Sequence, residues 1–182
     1  MLSELRTRKL TRFFRVVDRD GDGILTLADP EIVVRKLASL RELRQGTTSY
    51  ESFRDGFMAY WSDLMKRSDG DEDGVVTLRE WLDYHDEMLA DETRFEYTVA
   101  FSAGIMFALM DTDEDGTISL DEYGEWMKAW GIDEDDLTPE VFAGLDRNGD
   151  GILSQTEVLD MVREFYYSDD PDAPGNWCMG PF

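Results

Sequence analysis

Four twelve-residue stretches place a carboxylate or amide at their first, third and fifth positions: DRDGDGILTLAD at 18–29, DGDEDGVVTLRE at 69–80, DTDEDGTISLDE at 111–122 and DRNGDGILSQTE at 146–157. Carboxylates so close together repel one another unless a cation sits between them. The spacing D-x-[DN]-x-[DN]-G-x5-E suits a hard divalent ion. Positions 1, 3 and 5 offer side-chain oxygens, position 7 a backbone carbonyl, position 9 a direct or water-borne contact, and position 12 a bidentate carboxylate. Gly23, Gly74, Gly116 and Gly151 at position 6 permit the sharp turn that a Cβ resists. The last three stretches match the pattern in full, which accidental runs in an acidic chain do not produce, whereas the first ends in Asp29 where Glu is expected.

Such loops need helices to aim them, and apolar residues at helical spacing flank each one. Phe53, Phe57, Tyr60, Trp61, Leu64 and Met65 precede the second loop; Leu78, Trp81, Leu82, His85, Met88 and Leu89 follow it. The segment Phe95–Met110 leads into the third loop, and Trp130-Gly131-Ile132 reads as the stop of the helix that leaves it, with Gly at C′. Thr138-Pro139-Glu140 reads as an N-cap followed by proline at N1. QGTTS at 45–49 is the expected turn of the long first connection, with an N-cap at Thr47 to Ser49. The spacing predicts eight helices around four loops. Position 8 is branched and apolar in every loop (Leu25, Val76, Ile118 and Leu153), which predicts short β-contacts pairing loop one with two and three with four. Only LADET at 89–93 separates the halves, so they are expected to pack together. Thr98–Met110, almost free of charge, predicts a helix buried all round, with Gly104 at a close approach.

Composition excludes much else. A formal net charge of −23 repels nucleic acid and anionic membranes and calls for cations. No stretch is long and apolar enough to span a bilayer, and the N-terminal MLSELRTRKLTRFFRVVD lacks the apolar core of a signal peptide, so a cytoplasmic, monomeric protein is expected. His85, the only histidine, sits on an apolar helix face and reads as a packing residue; Cys178, the only cysteine, reads as part of a packed cap. No phosphate loop or nucleophile motif accompanies them, and the expectation is a binding protein, not an enzyme.

Four loops of this kind on long aromatic-rich helices with a short central connection resemble the EF-hand family, specifically the sarcoplasmic calcium-binding protein group and its calerythrin-like, actinobacterial members. The resemblance covers roughly 1–167, and DDPDAPGNWCMGPF at 169–182 is similar to tails in that group. It implies an all-α fold of four EF-hand helix-loop-helix motifs in two paired lobes packed into one compact body. The expected divisions are an N-terminal pair at 1–90, a C-terminal pair at 91–167 and a tail at 168–182 that packs on the body. It also implies three or four Ca²⁺ ions. Carried onto this sequence, the ligands are Asp69, Asp71, Asp73, the Val75 carbonyl, Thr77 and Glu80; Asp111, Asp113, Asp115, the Thr117 carbonyl, Ser119 and Glu122; and Asp146, Asn148, Asp150, the Ile152 carbonyl, Ser154 and Glu157. In the first loop they are Asp18, Asp20, Asp22, the Ile24 carbonyl, Thr26 and Asp29.

The implied function is a calcium buffer or signal modulator. One alternative is a sensor that exposes a Met-rich surface to a protein target; a remote one is a photoprotein-like luciferin-binding oxidase, for which a single histidine is too few. Asp29 is one methylene short and Pro30 disfavours helical backbone before it, so loop one is expected to be weak or Mg²⁺-selective, with Asp29 either a ligand or the N-cap of a late-starting helix. In the tail, Trp177, Met179 and Phe182 are expected to fold back as an apolar plug.

Overall fold

The computed structural model describes residues 1–132 and 137–181, and leaves aside the side chains of residues 92, 94–96, 98 and 99. Phe182, assigned from sequence to the plug, lies outside the described residues. Eight α-helices occur among them. The first hand runs from α1 (Glu4–Val17) through β1 (Ile24–Leu25) to α2 (Ala28–Leu40), and the second from α3 (Thr48–Ser68) through β2 (Val76–Thr77) to α4 (Leu78–Ala90). Helices α5 (Glu92–Met110) and α6 (Leu120–Ala129) flank the third loop, and α7 (Thr138–Leu145) and α8 (Gln155–Tyr167) the fourth. A 3₁₀ turn at Pro174–Trp177 follows.

Local chemistry sets most boundaries. Thr47 caps α3 by accepting the Tyr50 N–H at 3.3 Å. Helix α6 ends as the sequence reads. Gly131 at φ 71° donates to Lys128 O, and the Ile132 N–H reaches Met127 O at 2.9 Å, the paired bonds of a Schellman stop. Helix α7 differs from expectation: Leu137 occupies the N-cap with no side-chain bond, and Thr138 is already helical and buried, its methyl turned toward Gly124.

The loops pair two by two. Leu25 sits opposite Val76 in the β1–β2 ladder, and Ile118 and Leu153 exchange N–H···O bonds of 2.9 and 2.8 Å. All four side chains are buried, so each pair of loops closes over its own apolar seam.

The hydrophobic core draws on all eight helices, and aromatic contacts run through it. Phe13 on α1 stands edge-on to Trp81 on α4 at 5.2 Å and to Phe165 on α8 at 6.0 Å, while Trp61 on α3 lies 5.7 Å from Trp130 at the end of α6. Each such side chain contributes about 1.5–3 kcal/mol by leaving water. His85 packs within this core, against the Trp81 and Tyr166 rings with Nδ1 2.7 Å from Trp81 O, and burial lowers its pKa to about 4. Helix α5 corrects the sequence reading. Tyr97 is 78% and Phe101 55% exposed, and a Cβ at Gly104 would meet nothing within 4 Å, so one apolar face stands open and Gly104 marks no close approach. The face toward α8 buries Ala103 and Met110, and one side of the helix is enough to dock it.

The tail packs on α7 and α8 and is held from α1 by three cations spaced three residues apart on one helix face. Arg6 donates to Tyr167 O at 2.6 Å and to Asp169 at 2.8 Å. Lys9, fully buried, donates to Glu164 O at 3.0 Å and to Ser168 O and Asn176 Oδ1 at 2.8 Å each. Arg12 donates to Met179 O at 2.9 Å. Ala173, Asn176, Cys178 and Met179 are buried, and burial pushes the thiol pKa up; Trp177 stays partly exposed beside Val141 of α7, so the tail packs through more residues than the plug read from the sequence.

Candidate metal centre

Each loop is built by the same backbone bonds. The position-6 glycine N–H donates to the position-1 carboxylate: Gly23 to Asp18 and Gly74 to Asp69 at 3.0 Å, Gly116 to Asp111 at 3.1 Å, and Gly151 to Asp146 at 2.8 Å. The position-5 N–H of Asp22, Asp73, Asp115 and Asp150 donates to the position-3 oxygen of Asp20, Asp71, Asp113 and Asn148. The position-7 N–H of Ile24, Val75, Thr117 and Ile152 donates to the position-5 carboxylate. These bonds hold the acidic oxygens on the inside of the turn. Carboxylate oxygens of Asp18, Asp20 and Asp22, of Asp69, Asp71 and Asp73, and of Asp111, Asp113 and Glu122 each come within 4.8 Å of one another. That separation leaves room for one ion of the size that oxygen ligands hold at 2.3–2.6 Å. In the fourth loop Asn148 replaces one carboxylate and joins its amide to Asp150 at 3.0 Å.

Position 12 does two jobs. Glu80, Glu122 and Glu157 are the third residues of α4, α6 and α8, and each forms a capping box with position 9, Thr77, Ser119 or Ser154. The second carboxylate oxygen accepts the N–H of position 2: Gly70 at 3.1 Å, Thr112 at 2.8 Å and Arg147 at 3.0 Å. The position-9 hydroxyls face these carboxylates at 2.7–2.8 Å. Bonds from the Thr77 N–H and hydroxyl hold the Glu80 carboxyl below its ordinary pKa. Burial opposes the charge on Glu122 and Glu157, but bonds from Ser119 and Thr112, and from Ser154 and Arg147, outweigh it and hold both below their ordinary values.

Loop one reaches the same pose by another route. Asp29 accepts the Arg19 N–H at 2.9 Å and the Thr26 N–H at 2.8 Å, the donors that positions 2 and 9 supply elsewhere. Asp29 is not the N-cap. Leu27 holds that place and Asp29 is the second helical residue, 2% exposed. Because Pro30 has no N–H for the Thr26 carbonyl, the Asp29 N–H takes it at 3.3 Å, a tight turn that draws the short side chain back over the loop.

Four helix-loop-helix units with this loop frame, paired by position 8, define an EF-hand protein. The EF hand family model matches residues 105–128, which span the third loop. Calerythrin of Saccharopolyspora erythraea is 24% identical over 92% of this chain and 95% of its own length. Among solved structures, the coelenterazine-binding protein of Renilla muelleri in its Ca-loaded apo form has a TM-score of 0.78 at 25% identity over the whole of both chains. The sarcoplasmic calcium-binding protein of amphioxus has a TM-score of 0.71 at 22% identity, also over both whole chains. The chain thus carries an EF-hand fold and is similar from end to end to calerythrin and the sarcoplasmic calcium-binding protein of amphioxus.

Sequence reasoning passed over the residues that brace the loops from outside. Arg19 and Arg147 stand at position 2, where the pattern is silent, and Arg41 stands between hands. The position-2 arginines of loops one and four were the available signal.

Proposed function

We propose that the protein binds up to four Ca²⁺, one per loop, through the residues named at positions 1, 3, 5, 7, 9 and 12, and serves as a monomeric cytoplasmic buffer or signal modulator without enzymatic activity. The two pairs of hands, 1–90 and 91–167, act as its lobes, and 168–182 holds them closed. The observation that carries this reading is the frame of N–H bonds common to all four loops, together with the acidic oxygens that lie within 4.8 Å of one another in the first three. The Ca-loaded state of the Renilla muelleri protein and the calcium-binding name of the amphioxus one support it.

A buffer is favoured over a sensor because Met65, Met88, Met110, Met127, Met161 and Met179 are all buried and the tail is latched to α1. Similarity to a coelenterazine-binding protein raises a second reading, an apolar ligand in the central cavity among Phe13, Trp61, Trp126, Trp130 and Tyr166. That cavity offers about 50 Å³, room for a few water molecules, whereas sites for organic ligands run to about 300 Å³ and more. His85 does not line it.

Calorimetric Ca²⁺ titration with an apolar-surface dye in parallel tests the proposal. Four bound ions would reduce the charge from −23 to −23 + 8 = −15, and each site held at a hundredfold excess over its Kd adds about 2.7 kcal/mol of stability. A chelator that leaves the melting temperature unchanged refutes calcium binding. Ca²⁺-dependent dye uptake refutes the buffer in favour of the sensor.

A further inference from the structure

Two arginines of the first hand end on the third hand. Helix α2 stops in a Schellman arrangement with Glu42, at φ 54°, in the place of the usual glycine; the Glu42 and Leu43 N–H groups reach Ser39 O and Ala38 O at 3.1 and 2.9 Å. This fixes Arg41 at the C-cap and directs its guanidinium onto the end of α5. There it donates to Ala108 O, to Leu109 O at 3.1 Å and to Asp111 O at 3.0 Å. The last turn of α5 has no basic residue of its own, so the negative end of its dipole is met by a cation from a different hand. Asp111 is position 1 of the third loop, and its N–H is bonded back into α5 at Phe107 O. Its backbone is therefore held on both sides, one of them by Arg41.

Arg19 makes the second link. Its N–H donates to the position-12 carboxylate of loop one, while its guanidinium donates to Trp130 O at 2.6 Å, at the end of α6, the helix leaving loop three. It lies directly against Gly131, where any Cβ would overlap it. The position-2 arginine of loop four, by contrast, turns to Glu164 within its own hand. Helix α2 also packs on α6, so Arg41 holds the first residue of the third loop and Arg19 the far end of the helix that leaves it.

We infer that Arg19 and Arg41 are positioning residues that couple the first metal loop to the third, so that an ion in one raises the affinity of the other. The inference rests on the calcium-binding reading above. Its physical basis is that a charged nitrogen bonded to carbonyls of another hand, Nη2 in Arg41 and Nη1 in Arg19, makes charge-assisted hydrogen bonds that resist displacement. Closure of Asp29 around an ion draws on the Arg19 backbone, and closure at Asp111 draws on the carbonyl that Arg41 holds. Linkage makes the coupling reciprocal.

Ca²⁺ titration of the full chain followed by amide NMR tests it. Gly23, Gly74, Gly116 and Gly151 report one loop each, because each donates to its own position-1 carboxylate. Disabling loop one with Asp18→Ala is expected to weaken binding at Gly116 by roughly fivefold or more. In the background Arg19→Met/Arg41→Met the same change is expected to leave Gly116 unaltered. Reading the difference between backgrounds removes any general loss of affinity from lower stability. If the double variant does not fold, Arg41→Gln alone, which retains an uncharged donor, is expected to shrink the effect of Asp18→Ala. An equal effect of Asp18→Ala in variant and parent, or none in the parent, overturns the coupling. Ca²⁺ that shifts none of the four glycines overturns calcium binding itself.

Discussion

Replacing Asp29 by Glu restores the usual position-12 residue and tests why loop one differs. The added methylene extends the carboxylate by about one carbon–carbon bond into a site that is 2% exposed and already bonded to the Arg19 and Thr26 N–H groups. Without metal, overpacking at such a site costs about 1–3 kcal/mol. With Ca²⁺ the longer side chain presents both oxygens while the loop keeps its shape, whereas Asp favours the smaller six-coordinate shell of Mg²⁺. The expected result is a rise in Ca²⁺ affinity at loop one of about tenfold, worth about 1.4 kcal/mol, with weaker Mg²⁺ competition. Calorimetry in the presence and absence of Mg²⁺, with the Gly23 amide as the local reporter, measures both. If affinity and competition are unchanged, or if loop one of the parent is already the tightest site, side-chain length does not set its selectivity and the tight Asp29–Thr26 turn compensates fully.

The buried imidazole of His85 should make stability depend on pH above the carboxylate range. Its pKa falls from 6.5 to about 4 on folding, so the unfolded chain binds more protons between these values and stability is lost as pH drops through that window. The parent should lose about 2 kcal/mol between pH 7 and 5 that His85→Phe does not lose, read by denaturant melts at saturating Ca²⁺; parallel curves would refute it. Lys9→Met should lower stability by about 1–3 kcal/mol by leaving Ser168 O and Asn176 Oδ1 without the lysine donor, and hydrogen exchange at Asn176 and Cys178 should speed up. A variant as stable as the parent would show that the tail is held by apolar contact alone.

What the sequence revealed was chiefly what twelve residues decide among themselves. The frame at Asp69 to Glu80 is legible because every donor and acceptor lies within one loop, and because the box that caps α4 uses the same Thr77 and Glu80 that frame the site. The strands pair as expected for the same reason: position 8 is fixed relative to the turn, so finding Leu25 and Val76 apolar is enough to place them face to face. Failures fall where partners are distant. An uncharged run suggested that Thr98–Met110 is buried all round, but only the neighbours of α5 decide that, and Phe101 stays more than half exposed although the Tyr60 ring lies beside it. Nothing in the residues around Lys9 announces its burial, which follows from three acceptors that the end of α8 and the tail bring to it.

The arginines between hands belong with these distant effects, yet they left a trace. Helix α5 ends in FALM, without the base that usually meets a C-terminal dipole, directly before a loop that gathers negative charge. Such an end is unfavourable in an isolated hand. It becomes stable in this fold because Arg41, rigidly fixed by its own helix stop, arrives from 70 residues away. The trace is partial, because α2, α4, α7 and α8 also lack a base in the last turn, so the missing base becomes a signal only once Arg41 is seen in place. It also follows that the third hand, cut from the first, would keep its metal ligands and lose the cation that steadies the first of them.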